Sequence, residues 1–239
     1  MVFSHGQLLP QRQELNNKPF MSGESSKYVE KNCELPETDD LHKFKGRVVF
    51  QGNQVKDDNY EAAMFQEMGS APATMEAIKS CDFYSLLPGH IGQQSDAESA
   101  YTQSKLSSFV KTWVRIPRHE WPADGSWNGI VDPVCPLILA LYGHPDAGGY
   151  WEQHCDLILR DCGFVAVSNW RSCCFHPLLK LSLIVYVDDF KMAGPADSME
   201  KGWALLRPLI KMDEPTPFNH FLGCTHIEGV VELVGKEKW

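Results

Sequence analysis

The sequence predicts an α+β fold whose core resembles a split βαβ sheet covered on one face by helices. Strand-like apolar runs, of which LSLIVYV at 181–187 is the clearest, alternate with segments of helical periodicity such as residues 141–164. Two adjacent acids separate that run from a second apolar stretch, which indicates a strand, a turn and another strand. With 239 residues, of which 43% are hydrophobic and 22% charged, the chain is long enough to bury such a core.

The N-terminal part divides into a polar leader and a strand. Residues 1–42 are rich in Asn, Gln, Glu and Lys without a sustained period, so we expect them to be loosely ordered. The next run, KFKGRVVF, is typical of a strand that turns at Gly52-Asn53 into a short return strand. Lys45 and Arg47 alternate within it and therefore share one face.

Helical patterns follow, interrupted at Gly69–Pro72. The second helical segment is expected to pack Met75 and Ile78 inward. Ser95 and Glu98 then stand at the spacing of a capping box, which predicts a turn into a short helix.

The longest predicted helix comes after a loop rich in Pro, Trp and Gly at 113–136. Asp146 is its candidate N-terminal cap and Gly163 its candidate C-terminal cap. Its apolar stripe is predicted to consist of Trp151, Cys155, Ile158 and Cys162.

The C-terminal part reads as strand, strand, helix and hairpin. FVAVSNW and LSLIVYV are strand-like. The helix that follows begins at Asp197 or Ser198 and extends at least to Pro208. FNHFLGCTHIEGVVELVG predicts a terminal hairpin that turns near Glu228-Gly229.

Composition limits the cellular setting and the class of partner. The formal net charge is −9, which argues against a surface that binds nucleic acid everywhere but allows a local basic patch. No apolar run could span a bilayer and no secretory signal is present, so we expect an intracellular, cytoplasmic or nuclear protein that is not secreted and has no membrane partner. The eight cysteines are best explained as reduced core residues. The spacing of Cys155, Cys162, Cys173 and Cys174 does not match a zinc motif well, but His154 and His176 lie nearby in the sequence, so a metal site stays open.

The adjacent acids Asp188 and Asp189 need an explanation, because like charges repel. An ordinary hairpin turn is one explanation, since Asp is common in turns. Against it, the preceding strand is strongly apolar, Phe190 and Met192 resume the apolar pattern, and a two-residue hairpin prefers Asn-Gly or Asp-Gly. A divalent cation would make buried paired acids tolerable, and Asp96 is the candidate third carboxylate.

Five segments resemble motifs of the reverse transcriptase in copia-type LTR retrotransposon Pol polyproteins. YVDDF resembles the YxDD signature, and DAESAYTQSKL resembles the first-aspartate motif. LILALYGHPDAGGYWEQ is similar to the family's ALYGLKQAPRAWY segment, KFKGRVVFQG to its YKARLVAKGF fingers strand, and FNHFLGC to its FLG motif. The segments occur in the family's order. The resemblance implies partial fingers at 43–92, a palm with a terminal hairpin at 93–239, and a missing or truncated thumb.

The resemblance also implies a reaction and its site. The reaction is RNA-directed DNA synthesis, in which a dNTP is transferred to a primer 3′-hydroxyl on an RNA or DNA template. Asp96 and Asp188 would be the main ligands of two Mg²⁺ ions, for which Mn²⁺ can substitute, and Asp189 an auxiliary one. The expected partners are a template–primer duplex, a dNTP, and the RNase H and integrase parts of the Pol polyprotein.

A second group of residues is assigned to nucleotide binding by the same resemblance. Tyr101 matches an aromatic that excludes a ribose 2′-hydroxyl, although a core aromatic is an equal alternative without the family context. Lys45 and Arg47 match residues that meet the triphosphate, although a solvated strand face is the commoner fate of such pairs. The complete predicted group is Lys45, Arg47, Tyr101, Asp146, Gly148 and Tyr186.

Three departures from the family pattern leave rival functions open. Asp146 replaces the usual Gln, residues 1–42 match nothing in the family, and no room for a thumb is left before Trp239. Weak processivity is expected, because phosphate contacts dominate affinity for a duplex. The alternatives are a catalytically decayed remnant that binds nucleic acid without enzyme activity, or another two-metal phosphoryl-transfer enzyme such as a nuclease.

Overall fold

A computed structural model describes residues 24–31, 43–52, 55, 72–107, 111–116, 118, 121–227 and 229. The α-helices in this part of the chain are Met75–Ser85 (α1), Ala147–Asp161 (α2) and Ala196–Leu206 (α3). The strands in the same ranges are Glu24–Lys31 (β1), Lys43–Phe50 (β2), His90–Asp96 (β3), Trp113–Arg115 (β4), Val134–Pro136 (β5), Val165–Ala166 (β6), Cys173–His176 (β7), Leu181–Tyr186 (β8), Asp189–Pro195 (β9), Thr216–Pro217 (β10), His220–Phe221 (β11) and Cys224–Thr225 (β12).

The described chain is mixed α/β, and its paired strands are antiparallel. The largest sheet has six strands in the order β10-β3-β9-β8-β7-β6. Contacts divide the chain into a first unit, Met1–Ala71 with Ser99–Ile158, and a second unit, Pro72–Glu98 with Leu159–Trp239. The six-stranded sheet, α1 and α3 all belong to the second unit.

Helices cover both faces of the six-stranded sheet. On one face, Ile184 and Ala193 form a buried cluster with Ile78 and Cys81 of α1. On the other face, a Cβ added at Gly202 of α3 would lie 2.9 Å from the Met192 sulfur, so helix and strand are in close contact there. The prediction that helices cover only one face is therefore wrong for this sheet, because β8 and β9 bury residues on both faces.

Several predicted elements are confirmed with altered details. The strands β2, β8 and β9 and the helices α2 and α3 lie where the sequence predicts them. Ile78 is buried in α1, but Met75 is 47% exposed, which contradicts its predicted inward position. The buried stripe of α2 is Trp151, Cys155 and Leu159 rather than one that includes Ile158 and Cys162.

Other predictions fail where strand pairing overrides local patterns. No capping box forms at Ser95, because β3 runs through it and only a short 3₁₀ helix follows at Ala100–Gln103. The segment 113–136 is mostly loop, as predicted, but its two ends pair as the short strands β4 and β5. The terminal hairpin turns at Leu222 and Gly223, both with positive φ, whereas the turn predicted near Glu228-Gly229 falls partly outside the described residues.

The first unit contains a strand that the sequence analysis missed. β1 pairs with β2 along eight residues and lies within the segment predicted to be a loose leader. The predicted return strand after Gly52 falls almost wholly outside the described residues. Gly143, with φ +85°, approaches the backbone of Phe50 so closely that an added Cβ would lie 2.1 Å from its oxygen. The absence of a side chain at Gly143 therefore allows the backbone around it to pack against β2.

Cysteine burial agrees with a role in the core. Among the described residues, the buried cysteines are Cys81, Cys135, Cys155, Cys173 and Cys174. Burial raises the pKa of the Cys81 thiol to about 12 and that of Cys173 to about 11, which makes both weak nucleophiles. In the described ranges, no helix combines the length and apolar character needed to cross a membrane.

Candidate functional site

Two acids that are far apart in sequence form a cross-strand pair in the second unit. Asp96 is the last residue of β3 and Asp189 the first of β9, and their Cα atoms are register partners. Directly opposed residues of an antiparallel pair point to the same face with Cβ atoms about 5 Å apart. A hydrogen bond joins the two carboxyl groups. We call these two residues the acid pair.

The third predicted acid lies in the adjoining turn. Tyr186 and Asp189 are paired, so Val187 and Asp188 form a two-residue hairpin loop. The φ of Val187 is +59°, whereas that of Asp188 is not positive, which is the pattern of a type II′ turn. The Asp188 carbonyl accepts a 2.7 Å hydrogen bond from the Ala97 amide, which fixes the turn to the end of β3.

The hairpin answers the question that the adjacent acids raised. The chain does make a two-residue hairpin, but its loop is Val187-Asp188, and Asp189 already belongs to the strand. A β-branched residue with positive φ is a genuine outlier, since this turn position normally takes Gly. Such strain costs on the order of 1–3 kcal/mol and persists only where the surrounding structure enforces it.

The electrostatics of the acid pair are unusual. Burial, then the charges of Asp96 and Asp188, then the hydrogen bond that protonated Asp189 donates to Asp96 together raise the pKa of Asp189 to about 7. Asp96 itself is exposed. Asp189 is therefore about half protonated at neutral pH, where a lone carboxyl group would be almost fully ionised, and a nearby cation would displace the proton.

A short segment next to β3 holds the backbone of Asp96. The Asp213 amide donates to the Asp96 carbonyl at 2.9 Å, and the buried Ser95 hydroxyl donates to the Asp213 carbonyl at 2.7 Å. The Glu98 amide donates to the Lys211 carbonyl at 2.9 Å. Sequence reasoning assigned Ser95 to a helix cap, so it missed this supporting contact.

The three acids suit a hard cation only in part. Within the described ranges, no group of three or more His, Cys, Asp or Glu side chains is arranged to hold a metal ion. Mg²⁺, however, is commonly bound by one or two carboxylates, with water and substrate phosphate completing its shell. Asp96 and Asp189 provide two carboxylates within hydrogen-bonding distance of each other, and Asp188 lies in the turn that adjoins them. This donor set is compatible with Mg²⁺ bound together with a substrate.

The predicted nucleotide-binding residues are divided between the units. Tyr186 lies in the second unit, at the end of β8, where it is the register partner of Asp189 and packs on the α1 cluster. The others lie in the first unit. Tyr101 contacts Tyr142 with ring centroids 4.7 Å apart, and Gly148 lies in the first turn of α2. Lys45 and Arg47 occupy alternate positions of β2, and their side chains lie outside the described part of the structure.

Asp146 is the most constrained of the residues in the first unit. It is 6% exposed and its Oδ1 has no hydrogen-bond partner, and burial raises the pKa of this carboxyl group. Its amide donates to Nδ1 of His144 at 3.1 Å, and Nε2 of His144 lies 3.1 Å from the Thr112 hydroxyl. Burial lowers the pKa of His144 to about 4, so this ring stays neutral.

Comparison with known proteins identifies no family. No protein-family model matches the chain, and no curated protein matches it. Among solved structures, the chain is similar to telomerase from Candida albicans, determined in complex with a TWJ fragment of telomeric RNA, with a TM-score of 0.45 and 9% sequence identity. The match covers 95% of this chain and 45% of the telomerase chain, so this chain spans less than half the length of that protein.

Proposed function

We propose that this chain is the fingers-and-palm part of a copia-type RNA-directed DNA polymerase. The proposed reaction transfers a nucleotide from a dNTP to a primer 3′-hydroxyl on an RNA or DNA template, with Mg²⁺ or, in its place, Mn²⁺. The observation that carries the proposal is the acid pair, in which strand register brings Asp96 beside Asp189 and leaves Asp188 in the adjoining turn.

The order of strands gives independent support to a polymerase palm. A split βαβ sheet places its first strand beside the second strand of the central hairpin, and the last strand outside the first. In the order β10-β3-β9-β8, β3 lies beside β9 of the β8–β9 hairpin and β10 lies outside β3. The acid pair and the turn between β8 and β9 therefore share one end of this sheet.

The residues of the site have distinct tasks in the proposed reaction. Asp96 and Asp189 would hold a divalent cation, after giving up their shared proton, and Asp188 would hold another or assist. A cation bound there supplies positive charge for the transferring phosphoryl group and lowers the pKa of the attacking hydroxyl. Ser95 keeps the backbone of Asp96 in place through Asp213. The resemblance assigns the sugar contact to Tyr101 and the triphosphate contacts to Lys45 and Arg47, all of which belong to the first unit.

Primer extension tests this proposal directly. The parent should add dNTPs to a primed RNA template in Mg²⁺. The variants Asp96→Asn, Asp188→Asn and Asp189→Asn should each lose at least about a hundredfold in rate, since each removes charge that the transition state needs. Asp197→Asn, an exposed acid on α3, is the matched control and should retain full activity. Equal incorporation by the parent and all three variants would remove the acid site from the mechanism.

A decayed remnant that binds nucleic acid without catalysis is the second candidate. Two observations favour it. The acid pair shares a proton and is not arranged as a three-acid metal cage in the described ranges, and Asp146 offers a buried acid where the family has Gln. This candidate predicts that primer–template binds the parent and Asp189→Asn equally, with or without Mg²⁺, and that neither extends the primer.

A further inference from the structure

Lys191 has an unusual position for a lysine. It lies in the middle of β9 with its side chain 0% exposed. A lysine is almost never fully buried unless its charge is paired, because desolvation of the ammonium group is costly. Neither the proposed reaction nor the packing of β9 between two helices requires a cation at this position.

The partners of the buried ammonium group come from two places. One is Asp82 of α1, which forms an ion pair with it. The other is the segment Phe218–His226, which contains the β11–β12 hairpin and which we call the hairpin segment. From that segment, His226 Nε2 lies 2.9 Å from Lys191 Nζ, and the rings of Phe218 and Phe221 have centroids 4.4 and 4.8 Å from it.

His226 contacts both members of this ion pair. Its Nε2 lies 3.1 Å from Asp82 Oδ1 as well as 2.9 Å from Lys191 Nζ. Its Nδ1 lies 3.2 Å from the Asn219 carbonyl, which can only accept, so Nδ1 donates this hydrogen bond. His226 thus joins the buried cation to the backbone of the hairpin segment.

The strand next to β9 holds the same segment. Gln94 of β3 is the register partner of Lys191. Its amide nitrogen donates to the His220 carbonyl at 2.8 Å, and its amide oxygen accepts from the Asn219 amide at 3.2 Å. The Phe218 ring covers Gly92, where an added Cβ would lie 2.2 Å from the ring. The hairpin segment therefore rests on consecutive same-face positions of β3 and β9.

That face continues directly into the acid pair. Asp96 follows Gln94 by two residues on β3, and Asp189 precedes Lys191 by two residues on β9. Residues two apart in a strand point to the same face and are separated by about 7 Å. The pair that holds the hairpin segment and the pair of candidate metal ligands are therefore adjacent cross-strand pairs on one face.

We propose that Lys191 is a positioning residue that fixes the hairpin segment beside the acid pair through Asp82 and His226. Its importance for catalysis rests on the function proposed above, because the segment would then form one side of the site that receives the substrate duplex. Lys191 touches no reacting group in this arrangement. Its loss should weaken substrate binding and leave the carboxylates of the acid pair in place.

Hydrogen exchange on the metal-free full-length chain tests the structural half of the proposal without requiring activity. In Lys191→Met, amide exchange in the hairpin segment should rise by about ten- to a hundredfold, the expected effect of losing a charged hydrogen bond. Lys201→Met, which removes an exposed lysine of α3, is the control and should exchange like the parent. Unchanged exchange of the hairpin segment in Lys191→Met would overturn the proposal.

A second pair of variants distinguishes loss of the His226 contacts from general destabilisation of the core. His226 is 24% exposed, so both His226→Gln, which keeps a hydrogen-bonding group beside the ion pair, and His226→Leu, which does not, are expected to fold. Exchange in the hairpin segment should rise in His226→Leu and return toward the parent value in His226→Gln. Equal exchange in the two variants would overturn the role of the His226 hydrogen bonds, and this result decides the question even if Lys191→Met fails to fold.

Steady-state kinetics test whether the hairpin segment contributes to substrate binding. In primer extension, the KM of His226→Leu for primer–template should rise at least about tenfold, while kcat changes by less than about threefold. An unchanged KM together with faster exchange would show that the segment does not contribute to substrate binding and would overturn the positioning role. Absence of extension by the parent would refute the proposed function instead, and the exchange results would still decide whether Lys191 fixes the segment.

Discussion

Replacing Asp189 with Asn should stabilise the metal-free chain at pH 8 and change its stability little near pH 4. The pKa of Asp189 is raised to about 7 by burial and by the neighbouring acids Asp96 and Asp188. In the unfolded chain the same carboxyl group has a pKa of about 3.9. Asn resembles the protonated acid and can still donate a hydrogen bond to Asp96, so it keeps the favourable form at every pH.

The sign and the size follow from proton linkage. Between pH 4 and pH 7 the folded parent binds more protons than the unfolded chain, so its free energy of unfolding falls as the pH rises through this window and stays low above it. A shift of about three pH units corresponds to at most about 4 kcal/mol. Because Asp189 is only partly buried, solvent screening reduces the expected difference to about 1–2 kcal/mol.

Urea unfolding at pH 5 and pH 8, in the presence of a chelator, measures this difference. The parent should lose stability between the two pH values by about 1–2 kcal/mol more than Asp189→Asn does, and Asp197→Asn should behave like the parent. Millimolar Mg²⁺ at pH 8 should then raise the stability of the parent and not that of Asp189→Asn, because a ligand that binds the folded state stabilises it. Identical pH dependence of the parent and Asp189→Asn would refute the account of the acid pair.

Two further substitutions test the local geometry that supports the site. Val187→Gly should raise the free energy of unfolding by about 1 kcal/mol, since Gly accepts the positive φ of this turn without strain, and a lower urea midpoint would contradict the turn assignment. Gly202→Ala should lower the thermal midpoint and cost about 1–3 kcal/mol, because the new methyl group would lie 2.4 Å from a Leu181 methyl carbon and 2.9 Å from the Met192 sulfur. Unchanged stability in Gly202→Ala would show that α3 is not in close contact with the sheet.

The elements that the sequence predicts correctly are those whose apolar pattern is strong on its own. LSLIVYV and DFKMAG are short, mainly apolar runs, and YWEQHCDLIL has a helical period, so β8, β9 and α2 follow from the local pattern of each segment. The strand β3, HIGQQSD, has a single large apolar residue and no alternation. It is a strand because β9 and β10 pair with it on both sides. A local sequence pattern does not predict such long-range pairing.

The candidate site shows the same limit more sharply. The sequence nominated Asp96 as a third carboxylate, and the resemblance assigned all three acids to one site, but neither strand alone determines the register between them. The register determines which acids lie opposite each other. It pairs Asp96 with Asp189, the residue that was expected to be an auxiliary ligand, and it places Asp188 in the turn. Lys191 could have been noticed in the sequence, because it is a lysine between the apolar residues of a predicted strand. A buried cation requires partners, so that interruption could have prompted a search for an acid such as Asp82, although only folding reveals that His226 completes the contact.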